Sequence, residues 1–326
     1  MPARHIVVPA GGIGAARFLR GIKAALGSDA EITVIGNTGD DITLFGLRIC
    51  PDLDTVMYTL GGGIEESQGW GRAGETFAVR DELAAYDAGP SWFGLGDHDL
   101  ATHIVRSAML DAGAKLSEVT ETLCARWAPG VRLLPMSDDR VETQVEIEDE
   151  QGRRWLHFQE YWVRLRAQPP ALAVHAEGAA TAMAAPGVLE SIAAADVVLV
   201  PPSNPVVSIG IVLAVPGIAD ALRATAAPVV GVSPIIGGAP VRGMADKLLP
   251  SIGVAVSAEA VARHYGARNA GGILDGWLVD TADADAATAL SADGLPTRAL
   301  PLLMTDVAAT ATMARAALEL AEQVRR

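Results

Sequence analysis

The opening of the chain constrains its fold most. Residues 5–10 (HIVVPA) form a continuous apolar run that ends in Gly11-Gly12-Ile13-Gly14. Residues 15–26 then place Phe18, Leu19, Ile22, Ala25 and Leu26 at helical spacing opposite Arg17, Arg20 and Lys23, and a second apolar run, EITVIG, follows at 31–36. Strand, glycine turn, amphipathic helix and strand in that order predict a βαβ unit. The sheet that begins here is therefore parallel, and its strands end in loops that face a common crevice.

Beyond residue 60 the pattern changes. Residues 61–130 carry glycine-rich turns and helical stretches near 77–87, 99–112 and 117–127, without buried strands. Residues 131–136 and 141–149 alternate apolar and polar, and 150–152 turn into 153–165, which predicts a small antiparallel element. From 171 strands are expected at 172–176, 196–201, 228–233 and 273–279, and helices near 187–195, 240–249, 257–265 and 306–325. Residues 280–293 read as a surface turn or short helix. The expected fold class is α/β: a Rossmann-like, mostly parallel sheet with a helical insertion and a small antiparallel β element. Residues 1–60 and 170–326 would form the core, and 61–169 the helical insertion plus a β-hairpin.

Composition narrows the function. Half of the 326 residues are hydrophobic and 20% are charged, enough apolar material for a full core. A net charge of −14 argues against a nucleic-acid or acidic-membrane partner, since such surfaces need clustered cations. Lys23, Lys115 and Lys247 are the only lysines, so a phosphate must be held by arginines, backbone amides, one of these lysines or a metal. Cys50 and Cys124 have no metal-ligand or CxxC spacing and fit buried thiols in a reducing cytoplasm. No export signal is visible, and the uncharged stretch between Asp196 and Asp220 is interrupted by Pro201, Pro202, Asn204 and Pro205, so no membrane span is expected.

Four strand ends carry the candidate chemistry: GGIG at 11–14, GNTGDD at 36–41, PPSNP at 201–205 and SPIIGG at 233–238. Backbone N–H groups at Gly12 and Gly14 suit a phosphate at a helix N-terminus, although a tight turn without ligand is the plainer reading. Arg17 stands where the dinucleotide pattern GxGxxG needs a small residue, and Asn37 or Thr38 rather than an acid closes the second strand, which disfavours NAD. Asp40, Asp41, Asp52 and Asp54 crowd one short segment. Either Asp52 or Asp54 caps the helix that follows, or Asp41 and Asp54 converge on Mg²⁺, a hard cation that takes carboxylate and phosphate oxygens. Arg242 and Lys247 point toward the crevice or lie on a solvated helix face. His98 and His103 lack a third ligand at zinc spacing and read as polar helix-surface or pocket residues. GxSxG, HExxH and GxxxxGK[ST] are absent. Of the six tryptophans, Trp70, Trp92, Trp127, Trp155 and Trp162 fall in the insertion; most are expected in core packing, and one on a cleft wall would stack on a flat ring.

Several segments together resemble the 2-phospho-L-lactate transferase family (CofD, called FbiA in actinobacteria) of coenzyme F420 biosynthesis. They are GGIGAARFL (11–19), GDD and PDLDTVMYTL (39–60), LGDHDLATHIVR (95–106), LLPMSDD (133–139), HFQEYWV (157–163), PPSNPVVSIG (201–210) and SPIIGGAPVRGMADKL (233–248). The resemblance implies a Mg²⁺-dependent homodimer. In its reaction the terminal ribityl hydroxyl of the deazaflavin alcohol FO attacks a phosphorus of a guanosine diphosphate-linked three-carbon acid, enolpyruvyl or lactyl, and GMP leaves. By motif, Asp54 would be catalytic and touch FO and metal, Asp41 would help hold the metal, and Gly94 would line the FO site on the side supplied by the insertion. Gly12, Gly14, Asn37, Ser203, Asn204, Ser233, Gly237 and Lys247 would hold the nucleotide. Ile13 replaces a threonine common in the family's first glycine loop. Abundant alanine and arginine over lysine look like high-GC coding, and because actinobacterial members of the family use the enolpyruvyl donor, the resemblance favours that donor over the lactyl one. Two alternatives stand beside this: a non-catalytic regulator of the YvcK-like, sugar-nucleotide-binding kind, and an NAD(P) oxidoreductase.

Overall fold

The computed structural model describes residues 4–27 and 30–325. It opens as the sequence predicts: β1 (Arg4–Ala10), α1 (Gly12–Leu26) and β2 (Ala30–Gly36). A hairpin, β3 (Ile42–Leu44) and β4 (Leu47–Ile49), leads into α2 (Pro51–Gly61). The insertion supplies α3 (Ala78–Ala85), α4 (Asp97–Asp111) and α5 (Leu116–Trp127). The remaining strands are β5 (Arg132–Pro135), β6 (Glu142–Asp149), β7 (Gly152–His157), β8 (Ala171–Glu177), β9 (Val197–Val200), β10 (Val229–Val232), β11 (Ile235–Ile236), β12 (Ala239–Pro240), β13 (Gly276–Val279) and β14 (Thr297–Ala299). The helix Val307–Gln323 closes the chain and packs along α1.

Seven strands form the main sheet in the order β14-β13-β10-β9-β1-β2-β5, and every pairing in it is parallel. The protein is thus a Rossmann-like α/β fold. Alternate strand residues enter two separate cores: Ile6, Val8 and Ala10 face α1, α2 and the C-terminal helix, while Val7 faces the opposite layer. A sheet buried on both faces requires the continuous Val/Ile runs seen in the sequence. The strand order reverses between β1 and β9, and there the loops diverge to opposite sides and leave a crevice at the carboxyl ends.

Several expectations need correction. Residues 131–136 do not join the antiparallel element; β5 becomes the edge of the main sheet beside β2, because Leu133 and Leu134 are buried on opposite faces. Conversely β8, expected in the parallel half, pairs antiparallel with β6, giving the sheet β7-β6-β8, which straddles the expected division at 169/170. β7 stops at His157, and Glu160–Arg164 forms a wide π-helical turn rather than strand. The helix expected near 240–249 is reduced to Ala245–Leu248, preceded by the β11–β12 hairpin, so Arg242 lies in a loop. The β3–β4 hairpin and β14 were not legible from periodicity, being three residues long each. Residues 280–293 do contain a helix, Ala284–Ala292. Among the described residues no single helix is long and apolar enough to cross a membrane.

Helix α1 begins at Gly12, three residues earlier than its apolar pattern indicates, so Gly14 lies in its first turn. A Cβ on Gly14 would fall 2.4 Å from the Pro202 carbonyl oxygen, a backbone atom that cannot swing aside. Gly12 has φ +70 with open space around its missing Cβ. Gly→Ala within a helix ordinarily stabilises by about 1 kcal/mol, but at Gly14 the overlap outweighs this by about 1–3 kcal/mol. Gly14→Ala is therefore expected to lower the thermal midpoint through this overlap, whereas Gly12→Ala would do so only through backbone strain of about 1–2 kcal/mol at its positive φ. A Gly14→Ala midpoint equal to wild type would show that α1 can move away from the 201–205 loop.

Candidate active site

The strand-end loops surround a cavity of about 710 Å³. Asp52, in the first turn of α2, is its structural joint. Its Oδ1 accepts the Gly12 N–H at 2.8 Å and its Oδ2 accepts Asn37 Nδ2 at 2.9 Å. The capping reading of Asp52 is thus half right: it satisfies an N-terminal N–H, but of α1 rather than of its own helix. Ser203 Oγ donates to the Gly11 carbonyl at 2.8 Å, and Asn204 Oδ1 accepts the N–H groups of Val206 and Val207. Ser233 Oγ donates to the Ile235 carbonyl at 2.8 Å, holding the fourth loop.

Of the residues expected to bind nucleotide, Gly12, Gly14, Ser203, Asn204 and Ser233 line the cavity, as does Gly94. Three do not. Asn37 is fully buried behind Asp52, where it also donates to the Val207 carbonyl and accepts the Gly39 N–H. Gly237 directs its N–H to the Asp283 carboxylate. Lys247 has a 59% exposed side chain, 3.9 Å from Asp246. Its short helix starts too late to aim it inward.

Asp54 lines the cavity two residues after Asp52 and meets α4 there. Glu75 receives the N–H groups of His98 and Asp99, fixing the start of α4. Asp99, His103 and Arg106 then share one helix face at spacings of four and three residues. Arg106, 1% exposed, forms an ion pair with Asp54 Oδ1, approaches His103 Nδ1 at 3.1 Å and donates to the Arg48 carbonyl at 3.3 Å. Asp54 Oδ2 is 3.8 Å from His103 Nδ1, and Asp99 Oδ2 is 3.4 Å from His103 Nε2. Tyr58, one turn after Asp54, donates to Asp99 Oδ1 at 2.6 Å and lies 2.8 Å from Thr102 Oγ1.

Burial sets the electrostatics. It raises the Asp54 carboxyl above the ordinary range against the pull of Arg106 and His103. Desolvation lifts Asp52 to about 6, opposed by its hydrogen bonds from Asn37 and Gly12, and drives Asp40 well up, reinforced by the charge of Asp52. At Asp99 burial also pushes upward, but His103, Tyr58 and Arg106 together bring it below the usual value.

Asp54, Asp99 and His103 each offer a ligand atom within 4.8 Å of the others, and Asp54 Oδ2 and His103 Nε2 are buried with no hydrogen-bond partner. Two carboxylates, one of them with an orphaned oxygen, fit a divalent cation that prefers oxygen, and the imidazole would also suit a softer one. Asp41, the expected second ligand beside Asp54, is not brought into this cluster. It is fully buried outside the cavity lining, with Oδ2 3.1 Å from Arg48 Nη2, and burial raises it to about 6.

The walls are aromatic and cationic. Trp70, Phe93, Phe158 and Trp162 line the cavity together with Arg17, Arg166 and Arg242. The tryptophans are less internal than expected: Trp70, Trp155 and Trp162 are exposed, Trp127 packs on Tyr58 with ring centroids 4.8 Å apart, and Trp277 alone is wholly buried. Sequence reasoning missed Asp99, Arg106 and the role of His103. The i, i+4, i+7 spacing inside LGDHDLATHIVR was the available signal. Arg17 had registered only as a departure from a glycine pattern.

The family model for the 2-phospho-L-lactate transferase CofD matches residues 6–299. A phosphoenolpyruvate transferase of Kitasatospora aureofaciens is 68% identical over 321 residues, covering 98% of this chain and 99% of that protein. One of Streptomyces griseus is 67% identical over 321 residues, with the same coverage, and one of Mycobacterium sp. (strain JLS) is 57% identical over 330 residues, covering 97% of this chain and 98% of that protein. A crystal structure of a UPF0052 family member from Bacillus halodurans superposes with a TM-score of 0.62 at 18% identity, covering 98% of this chain and 99% of that one, a likeness of fold. With a family match across nearly its whole length and relatives two-thirds identical, the chain belongs to the 2-phospho-L-lactate transferase CofD family and is a transferase.

Proposed function

We propose that this protein transfers a phosphoenolpyruvyl group from a guanosine diphosphate-linked enolpyruvyl donor to the ribityl hydroxyl of the deazaflavin alcohol FO, releasing GMP and giving dehydro coenzyme F420-0, as a cytoplasmic, Mg²⁺-dependent homodimer. One observation carries the reading. A single cavity brings together the first turn of α1, aromatic walls, and a buried Asp54–Asp99–His103 cluster with orphaned ligand atoms. The enolpyruvyl donor is preferred to the lactyl one because the relatives two-thirds identical to this chain bear the name phosphoenolpyruvate transferase. The UPF0052 likeness is one of fold and does not favour the regulatory alternative.

In this reading the alcohol oxygen forms a bond to the phosphorus that bears the enolpyruvyl group. The bridging P–O bond breaks toward GMP, and the hydroxyl proton leaves for a nearby acceptor. No side-chain nucleophile is needed, because phosphoryl-type transfer depends on positioning and charge neutralisation. The N–H groups of Ile13 and Gly14, at the start of α1, receive diphosphate oxygens. Asp54 Oδ2 orients the hydroxyl, and its raised carboxyl makes it a better proton acceptor than a solvated aspartate. Arg106 keeps Asp54 in place from behind. Phe93, Trp162 and Tyr58 exclude water and support the deazaflavin ring. Bound between Asp54 and Asp99, Mg²⁺ would offset diphosphate charge and make the alcohol more acidic.

Three outcomes follow. A folded Asp54→Asn protein should release GMP from donor and FO at least about 100-fold more slowly than wild type; near wild-type release removes Asp54 from the chemistry. Thorough chelation should stop GMP release, and Mg²⁺ should restore it. Because burial raises the carboxyl of Asp54, one of the residues that would hold the cation, the cation must displace its proton at lower pH. Calorimetric Mg²⁺ affinity should therefore fall as pH drops from 7.5 to 5.5, and a flat profile would place the cation away from Asp54.

A further inference from the structure

Helix α1 carries three cationic residues toward its surroundings, and two of them are satisfied. Arg20 donates Nε to the Thr59 carbonyl and grips both oxygens of Glu66, at 2.6 and 3.0 Å. Lys23 donates to the Pro129 carbonyl. Arg17 has no hydrogen bond or ion pair for its guanidinium among the described residues, and Glu66, whose charge acts on it, is gripped at both oxygens by Arg20.

Arg17 lies one turn after Ile13 on the same helix face, and helical side chains lean toward the N-terminus, so it reaches back along the cavity wall. Gly69 closes over this face from the segment after α2. A Cβ there would fall 2.9 Å from Ile13 Cγ2 and 2.9 Å from Arg242 Nη1, so these two side chains meet at Gly69. Arg242 is anchored only through Nη1, which donates to the Gln68 carbonyl at 3.0 Å, and it faces no carboxylate. Both side chains line the same cavity, and burial together with the nearby charge of Arg242 disfavours the charged form of Arg17. Two guanidinium groups held together in so acidic a protein need an anion between them.

We propose that Arg17 and Arg242 bind the carboxylate of the donor's three-carbon acid, and so distinguish the complete donor from GDP alone. The proposal rests on the donor reading above. The diphosphate already has the first-turn amides of α1 and the carboxylate-bound cation to offset it, whereas the carboxylate has no partner yet, and of the cavity's arginines Arg17 and Arg242 are the two that stand together beside the start of α1. A planar guanidinium matches a planar carboxylate through two parallel N–H···O bonds, a fit that an ammonium does not reproduce. The missing small residue of the glycine motif then has a purpose: at that position, a turn into the helix, a long cationic side chain reaches the acid.

The test compares two ligands on wild type and on an Arg17→Met, Arg242→Met double variant, by calorimetry with Mg²⁺ present. Freshly made enolpyruvyl-diphosphoguanosine should bind the variant about 10- to 100-fold more weakly, while GDP affinity changes less than about twofold. Arg17→Lys with native Arg242 should lose only part of that affinity, and the thermal midpoint should stay near wild type because neither arginine has a carboxylate partner to lose. Parallel weakening of donor and GDP would assign both arginines to the diphosphate and overturn the proposal. So would donor affinity unchanged in the double variant. If wild type binds the donor but transfers nothing to FO, the transferase reading fails at its acceptor while the carboxylate proposal is still decided by the two affinities.

Discussion

The site depends on one buried ion pair. Arg106 comes from the helical insertion and Asp54 from the core, and both are almost wholly removed from water. Such a pair gains little net stability, since desolvating two charges costs about as much as their attraction returns, but losing either partner leaves an uncompensated charge and costs about 3–5 kcal/mol. Its effect is therefore positional. It fixes where α4 meets α2, brings Asp99 and His103 against Asp54, and leaves one oxygen of Asp54 free. Arg48 plays the corresponding part for Asp41, which explains how adjacent acids stay buried in a chain already far on the acidic side.

Sheet topology supplies the rest of the arrangement. With β1 central and the order reversing toward β9, the loops after β1, β9 and β10 open on one crevice. Asp52 then links the first of these to the start of α1 and, through Asn37, to the loop after β2. The insertion adds what a bare mononucleotide fold lacks: aromatic side chains and the charged face of α4.

How much of this was legible follows from range. The βαβ opening, the helices at 78–85, 97–111 and 116–127, and the loops flanking the crevice were readable because periodicity and turn residues are local signals. Strand partners were not. Residues 132–135 and 171–177 each read correctly as extended but exchanged sheets, since an alternating segment does not state what it lies beside. In the site, Asp54, Gly12, Gly14, Ser203, Asn204 and Ser233 line the cavity, although the Gly12 amide is taken by Asp52, whereas Asp41 turns to Arg48 and Lys247 to solvent. Those two depended on side-chain direction, which burial and a short helix decided. His103 shows the converse: without a zinc-like spacing it looked incidental, yet tertiary packing places it between two carboxylates.

The margins of the main sheet have a consequence for self-association. At one side β14 has only three residues, and at the other β5 has four and ends on Pro135, which lacks an amide hydrogen. Truncated borders of this kind give an incoming strand almost no ladder to extend. Two copies of this chain would therefore not join through the main sheet, which leaves each seven-stranded sheet, and the crevice at its switch point, intact within its own subunit.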